Sequence, residues 1–251
     1  MKKGNLHSIE TMGLVDGPGI RTVFFLQGCP LRCAYCHNPD THNNTPNKTI
    51  STEEIKDMAI RYKPYYKTSG GGVTFSGGEP LLQGEFLAEA VKELKKEDIC
   101  VTIDTCGFGD ERYYQEILDN TNLIMLDIKH FENDGYKKLT GSNMSKFYKF
   151  LSYLDNYEGR IWIRHVMVPG ITDNEDSMYR IFDEISHLSN KIDRIEILPY
   201  HRMGVHKYEE LNIEYKLKDV PEMDKEAARY YENIISKLLE DSKKKMHKQI
   251  V

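Results

Sequence analysis

The sequence predicts an α/β fold, a partial and open (β/α)6 barrel, on three observations. Short apolar runs of strand character alternate six times with amphipathic helical patterns, the signature of a parallel sheet with helices outside it. Glycines and polar or charged residues follow or interrupt five of those runs, and in barrels of parallel strands the carboxyl ends of the strands build the active site. No repeat, low-complexity linker or break in composition divides the 251 residues, so a single domain over 1–251 is expected. Six units are fewer than the eight of a full barrel, which leaves this one splayed along one side.

The elements follow in order. The first strand is expected at 22–27. Ser51 with Glu54 forms a capping box that opens a helix ending near Pro64. The second strand, 73–76, is followed by Gly77, Gly78 and Glu79. In the helix 85–96, Phe86, Leu87, Ala90, Val91 and Leu94 form one apolar stripe. Ile99, Val101 and Ile103 alternate in a third strand, 99–104, which ends at Asp104 and Thr105. A helix over 111–120 leads to a fourth strand, 123–128, ending at Asp127 and Lys129. The fifth strand, 161–168, carries Arg164, and the sixth, 194–198, is followed by His201. Further helices are expected at 146–156, 174–188 and 225–243.

Composition narrows the function. Hydrophobic residues make up 39% of the chain, enough for a sizeable core, and the net charge is −5 with no large basic block. Phosphate neutralisation needs clustered Lys and Arg, so no nucleic-acid partner is expected, and Lys243–Lys245 reads as a solvated helix end. No apolar run approaches membrane-spanning length, and His7 and Glu10 interrupt what would have to be the apolar part of a signal peptide; a cytoplasmic protein without a membrane partner is expected.

Three of the five cysteines lie within eight residues, in Cys29-Pro30-Leu31-Arg32-Cys33-Ala34-Tyr35-Cys36-His37-Asn38-Pro39. Such clustering in a cytosolic chain points to metal or redox work rather than disulfides. Thiolates bind iron–sulfur clusters, and three of them leave one iron of a four-iron cubane open for a substrate. The rival is a zinc site that adds His37. It would need Cys36 and His37 to reach one ion from adjacent positions, and no second knuckle accompanies it. Cys100 and Cys106 do not extend the motif.

A CxxxCxxC loop after a first strand, with Tyr35 before the last cysteine, resembles the radical SAM superfamily. The stretch from Asp16-Gly17-Pro18-Gly19-Ile20-Arg21 through Asn38 resembles the signature of its glycyl-radical-enzyme activases. Ser76-Gly77-Gly78-Glu79-Pro80, Leu126-Asp127-Ile128-Lys129, Val168-Pro169-Gly170 and Leu198-Pro199-Tyr200-His201 recur in order. The stretch from Tyr200 to Lys207 and the absence of extra cysteine-rich insertions resemble the branch acting on pyruvate formate-lyase. Cys106 departs from the pattern, since relatives carry Asn there.

The resemblance implies a barrel of the radical SAM type and a [4Fe–4S] cluster on Cys29, Cys33 and Cys36, with S-adenosylmethionine (SAM) on the fourth iron. It implies an electron from a low-potential donor such as flavodoxin and, under anaerobic conditions, a hydrogen taken by a 5′-deoxyadenosyl radical from a glycine of pyruvate formate-lyase. Gly77, Gly78 and Glu79 suit SAM's amino group, since glycines let backbone approach and a carbonyl or carboxylate accepts from an ammonium. Tyr35, Cys36, His37, Asn38 and His201 are implied on the adenine side. Asp127, Ile128 and Lys129 are implied at SAM's polar end, with Arg164 near its carboxylate and Val166 beside it. A sodium or potassium ion is implied on Asp104, Thr105, the Met125 carbonyl and Asp127, and Asp16 is implied to face the substrate.

Plainer readings stay open. Asp127 and Lys129 share a strand face and can simply pair. Asp104 can cap a turn, His201 can be a loop histidine, and Asp16 can belong to a capping turn. Arg164 shares its face with Trp162. The rival functions are a radical SAM enzyme acting on another glycyl-radical enzyme or on a small molecule, and an iron–sulfur electron-transfer protein.

Overall fold

The structure is a computed structural model that describes residues 1–45 and 48–250. The chain forms two compact units interleaved along the sequence. The first comprises Met1–Pro30, Asp40–Met125 and Ser145–Gly159; the second comprises Leu31–Pro39, Leu126–Met144 and Arg160–Val251.

In the first unit, β1 (Lys3–Gly13), β2 (Arg21–Leu26), β3 (Lys48–Ser51), β4 (Gly72–Gly77), β5 (Val101–Thr105) and the start of β6 (Leu123–Asp127) lie in the order β3-β1-β2-β4-β5-β6. Strands β2, β4 and β5 are parallel. Val23, Phe24, Val73, Phe75, Val101 and Ile103 are completely buried, as strands covered on both faces require. Phe24 and Phe75 are register partners and stack with centroids 5.8 Å apart.

Helix α1 (Thr52–Ser69) opens on the expected capping box: the Glu54 amide donates to Ser51 Oγ at 3.2 Å and the Ser51 amide to Glu54 Oε2 at 2.8 Å. It does not end at Pro64 as the sequence suggested. It continues to Ser69 and stops at Gly70 in the left-handed region (φ 71°). Tertiary anchoring overrides the missing N–H. Tyr66 is buried with its hydroxyl donating to Thr22 Oγ1, which ties the turn after Pro64 to β2, and Thr68 Oγ1 donates to the Pro64 carbonyl at 3.0 Å. Helix α2 (Gly84–Lys96) buries the anticipated stripe and packs against α1 and α3 (Tyr114–Asp119). The expected 111–120 helix is a 3-10 turn, Glu111–Tyr113, continuing into α3.

The second unit holds α4 (Asn133–Thr140), β7 (Arg160–Met167), α6 (Glu175–Ile185), β8 (Ile192–Pro199), α7 (Val205–Glu210) and α8 (Lys225–Ile250); α5 (Ser145–Leu154) belongs to the first. Strands β7 and β8 are parallel. Along β7, Ile161, Ile163, His165 and Met167 are buried, whereas Trp162, Arg164 and Val166 share the half-buried face. Helix α8 covers β8 through buried Ile235 and Leu239 and runs past the expected end at Lys243.

All six expected strands are present, with ends displaced by one or two residues. The sequence reading missed β1, β3, α4 and α7. Strand β1 pairs antiparallel with β2 and β3, and its residues alternate only partly between buried and exposed. Among the described residues, no helix is long and apolar enough to cross a membrane.

Candidate active site

The cysteine loop leaves β2 and has little regular structure. Cys29 belongs to the first unit, Cys33 and Cys36 to the second, and none of the three forms a disulfide. The second-unit part is tied by its backbone: Arg32 N–H donates to Thr140 O at 2.7 Å, Ala34 N–H to Leu139 O at 2.8 Å, and Cys36 N–H to Cys33 O at 3.0 Å. Loop position is thus set by the end of α4, an element the sequence did not reveal. Among the described residues no three His, Cys, Asp or Glu side chains converge as ligands of a single metal ion. The fit to a cluster rests on the donor set, three thiols on one polar loop.

In the first unit, Gly77 and Gly78 end β4 against the backbone that leads to Cys29. A Cβ on Gly78 would lie 2.1 Å from Gly28 O, and Gly77 holds φ +106°. Gly78 N–H donates to Leu26 O at 2.8 Å and Glu79 N–H to Gly28 O at 2.9 Å. These glycines therefore have a packing reason of their own.

Glu79 is buried and accepts from four donors. Leu81 N–H (3.0 Å) and Thr105 Oγ1 (2.6 Å) reach Oε1; Cys106 N–H (2.8 Å) and Cys106 Sγ (2.9 Å) reach Oε2. Burial pushes its carboxyl pKa up, against the pull of the bonds from Cys106, Thr105 and Leu81. Cys106 thus joins the Glu79 network directly. Thr105 Oγ1 also accepts from Gly107 N–H at 2.9 Å. Asp104 Oδ2 accepts from Ser76 Oγ at 2.9 Å, and Met125 is completely buried.

Asp16 lies in the loop before β2. Its carbonyl accepts from Thr74 Oγ1 at 2.7 Å. The organiser of this loop is Arg21, completely buried without a carboxylate in its hydrogen-bond set. It donates to Thr74 Oγ1 (2.6 Å), Pro18 O (3.0 Å), Val73 O (2.7 Å) and Cys100 O (3.3 Å). Burial lowers its pKa. The loop therefore packs near the start of β4, whereas Gly77 and Gly78 stand at its end.

In the second unit, Lys129 Nζ pairs with Asp127 Oδ2. Asp127 Oδ1 is nonetheless buried without a hydrogen-bond partner. Lys129 Nζ also lies 5.5 Å from the ring centroid of Tyr35, whose hydroxyl is buried and unpartnered and whose pKa burial raises well above 10. Arg164 Nε donates to Glu196 Oε2 at 2.9 Å, its register partner on β8. Glu196 also receives Arg194 at 2.8 Å, and no motif marked it in the sequence. Ile128 N–H donates to Arg164 O at 2.8 Å, and the Ile128 carbonyl bonds Nδ1 of buried His165 at 2.7 Å. Val166 shares the half-buried face of Arg164. His37 and His201 lie edge to face at 5.1 Å, Lys207 Nζ donates to Asn38 Oδ1 at 2.9 Å, and Tyr208 donates to Cys36 O at 3.0 Å. The structure thus brings His37 and His201 together, two of the residues expected on the adenine side, and ties Asn38 to Lys207 and Cys36 to Tyr208. It adds His165, Lys207 and Tyr208, which the sequence reading did not single out for a role.

The radical SAM superfamily model matches residues 23–181. The chain is 50% identical over 240 residues to a pyruvate formate-lyase-activating enzyme of Clostridium pasteurianum, covering 96% of this chain and all of that one. The chain belongs to the pyruvate formate-lyase-activating enzymes of the radical SAM superfamily. A relative with the same name from Staphylococcus epidermidis is 47% identical over 236 residues, covering 91% of this chain and 94% of that one. Two crystal structures share the fold. Streptococcus suis SuiB bound to precursor peptide SuiA superposes with a TM-score of 0.62 at 18% identity, covering 86% of this chain and 45% of that one. A domain of a pyruvate-formate lyase-activating enzyme from Bacteroides vulgatus gives 0.54 at 22%, covering 67% and 94%. The fold class expected from the sequence is therefore the family's, as are a [4Fe–4S] cluster and SAM.

Proposed function

We propose that this enzyme activates pyruvate formate-lyase by placing a radical on one of its glycines. The observation that carries the reading is the match to activating enzymes along nearly the whole chain, with the three-thiol loop in place. When bound, the cluster and SAM supply the hard chemistry: one-electron cleavage of the sulfonium to methionine and a 5′-deoxyadenosyl radical that takes the glycine hydrogen.

The chain's own residues bind, orient and exclude. Cys29, Cys33 and Cys36 hold three irons as thiolates. Gly77 and Gly78 set the strand end near Cys29, and Glu79 fixes that turn. Tyr35, Cys36, His37, Asn38 and His201 bind the adenine side, largely through backbone and ring faces. Asp127, Ile128 and Lys129 bind SAM's polar end, a role supported by the unpartnered Asp127 oxygen. Arg164 and Val166 flank its carboxylate, with Glu196 holding the guanidinium in place. Carboxylates that meet SAM's own carboxylate would repel it without a cation, so we assign a sodium or potassium ion to Asp104, Thr105, the Met125 carbonyl and Asp127. Asp16 meets the entering loop.

A glycine is a sensible target because no side chain blocks its Cα, and flanking amides stabilise the radical. The partner's loop must leave its own fold, so association includes an opening step. The electron comes from a low-potential donor such as flavodoxin, and a cytoplasmic location is supported by cysteines that form no disulfide. We read the two interleaved units as one domain, because the chain passes between them five times and independent domains are joined by single linkers.

The test is electron paramagnetic resonance after mixing reconstituted, reduced protein, SAM and pyruvate formate-lyase without oxygen. A glycyl radical on the partner is expected, with methionine and 5′-deoxyadenosine released in step. Cys33→Ala should lose cluster and cleavage, and Cys100→Ala should keep both. SAM cleavage with a small molecule modified and no partner radical would overturn the activase reading.

A further inference from the structure

The chain after β8 folds back on the cysteine loop, and beyond His201 nothing in the roles above requires it. Within the second unit, four contacts run from residues 201–208 to residues 36–38. The His201 and His37 rings meet at 5.1 Å. A Cβ on Gly204 would lie 2.8 Å from His37 O and 3.2 Å from its Cα, so the approach of these two backbones leaves little room beyond glycine. Lys207 Nζ donates to Asn38 Oδ1 at 2.9 Å, and the hydroxyl of buried Tyr208 donates to Cys36 O at 3.0 Å. Tyr208 is itself braced: its ring meets that of Tyr215 at 4.8 Å, and the Tyr215 hydroxyl bonds that of Tyr200 at 2.6 Å.

We propose that α7 is a clamp that sets the backbone of Cys36, His37 and Asn38 before SAM arrives, with Lys207 and Tyr208 as positioning residues. This rests on the reading that residues 36–38 face SAM. The physical argument is pre-organisation. An irregular loop loses conformational freedom when a ligand fixes it, and contacts already made in the free protein remove that cost from binding. Cys36 and Asn38 are held from α7 through polar atoms whose partners lie far away in sequence, which a sequence motif around the cysteines cannot provide.

Tyr208→Phe keeps the ring packing and removes the donor. Lys207→Met removes the second donor, and Tyr215→Phe is a control that breaks the bond to Tyr200 without touching Cys36. In metal-free protein, hydrogen exchange of a peptide covering residues 33–39 should be faster than in the parent for Tyr208→Phe and Lys207→Met, and parental for Tyr215→Phe. In reconstituted protein at parental iron content, Tyr208→Phe should weaken SAM binding about five-fold, the effect of one neutral hydrogen bond. KM for SAM should rise in proportion and kcat should stay within about two-fold. Parental exchange together with parental SAM affinity in Tyr208→Phe overturns the clamp, as does an equal effect in Tyr215→Phe. If the parent itself binds no SAM, the cofactor reading fails, and the exchange comparison still decides the clamp.

Discussion

Two carboxylates stand at strand ends, Glu79 after β4 in the first unit and Asp127 at the end of β6 in the second, and they are spent in opposite ways. Glu79 accepts from two backbone amides, a hydroxyl and a thiol, and is 1% exposed. Asp127 gives one oxygen to Lys129 and keeps the other buried without a partner. A buried polar atom without a partner is costly, which is the ground for proposing a ligand at the Asp127 oxygen; a fully satisfied carboxylate holds the fold. The lesson is that a carboxylate at a strand end says little until its donors are counted.

The strongest way to break that comparison is Glu79→Leu. It leaves two buried amides and the Thr105 hydroxyl without their acceptor, and should cost about 4 kcal/mol of stability, read from urea unfolding of metal-free protein. A loss below about 1 kcal/mol would make Glu79 no more structural than Asp127.

Next in size is a pH effect beside Asp127. Burial holds His165 at about 4, below its ordinary 6.5, with Nδ1 bonded to the Ile128 carbonyl and Nε2 unpartnered. As pH falls, the unfolded chain takes the proton first. The stability from this site is complete above about pH 6.5 and is lost between there and about pH 4, roughly 3 kcal/mol in all. Glu79 acts with the other sign. Its raised pKa makes its contribution complete below about pH 4.5, the ordinary value, and lost as pH rises through the folded value. Unfolding free energies at pH 7.5 and 4.5 should therefore differ less in His165→Phe than in the parent. An unchanged difference would assign the acid limb to other groups.

Cys106→Ala is smaller. It removes the thiol from Glu79 Oε2 but leaves the Cys106 amide there, and should cost about 2 kcal/mol by the same unfolding assay. Cys106→Ser, which restores a donor, should recover part of it.

Much of this was legible in the sequence, and the rest fails for identifiable reasons. The six expected strands announced themselves because each is a short apolar run and five of them carry polar residues within or just after the run. The capping box at Ser51 was legible because its bonds are local. The helix end at Pro64 was misread because Tyr66 acts through a tertiary contact to Thr22 that no local rule sees. Strand β1 was missed because much of it is half-exposed and its alternation is imperfect. Within the site, the cysteines and GGE residues were found by motif. Arg21 was legible as part of a motif, but its donation to three carbonyls was not. Glu196, His165 and Tyr208 escaped because each acts on a residue more than thirty positions away.

The smallest expected stability effect is the one that decides the comparison. Asp127→Asn removes a charge that, among the described residues, is bonded to Lys129, two residues on and just past the strand end. The amide oxygen of Asn still accepts from Lys129, so stability should stay within about 1 kcal/mol of the parent. The amide is nearly isosteric, but it brings an N–H₂ where an acceptor oxygen stood and removes the negative charge. If that oxygen is reserved for SAM and the cation, SAM binding to reconstituted protein should weaken at least ten-fold, about 1.4 kcal/mol, and the parent's dependence on sodium or potassium should vanish. Equilibrium binding of SAM with and without these ions, on parent and variant at equal iron content, measures both. Parental affinity with parental stability would leave the unpartnered oxygen without a ligand to explain it. A fall in stability as deep as that of Glu79→Leu would make Asp127 a second structural tie, and the contrast between the two strand ends would disappear.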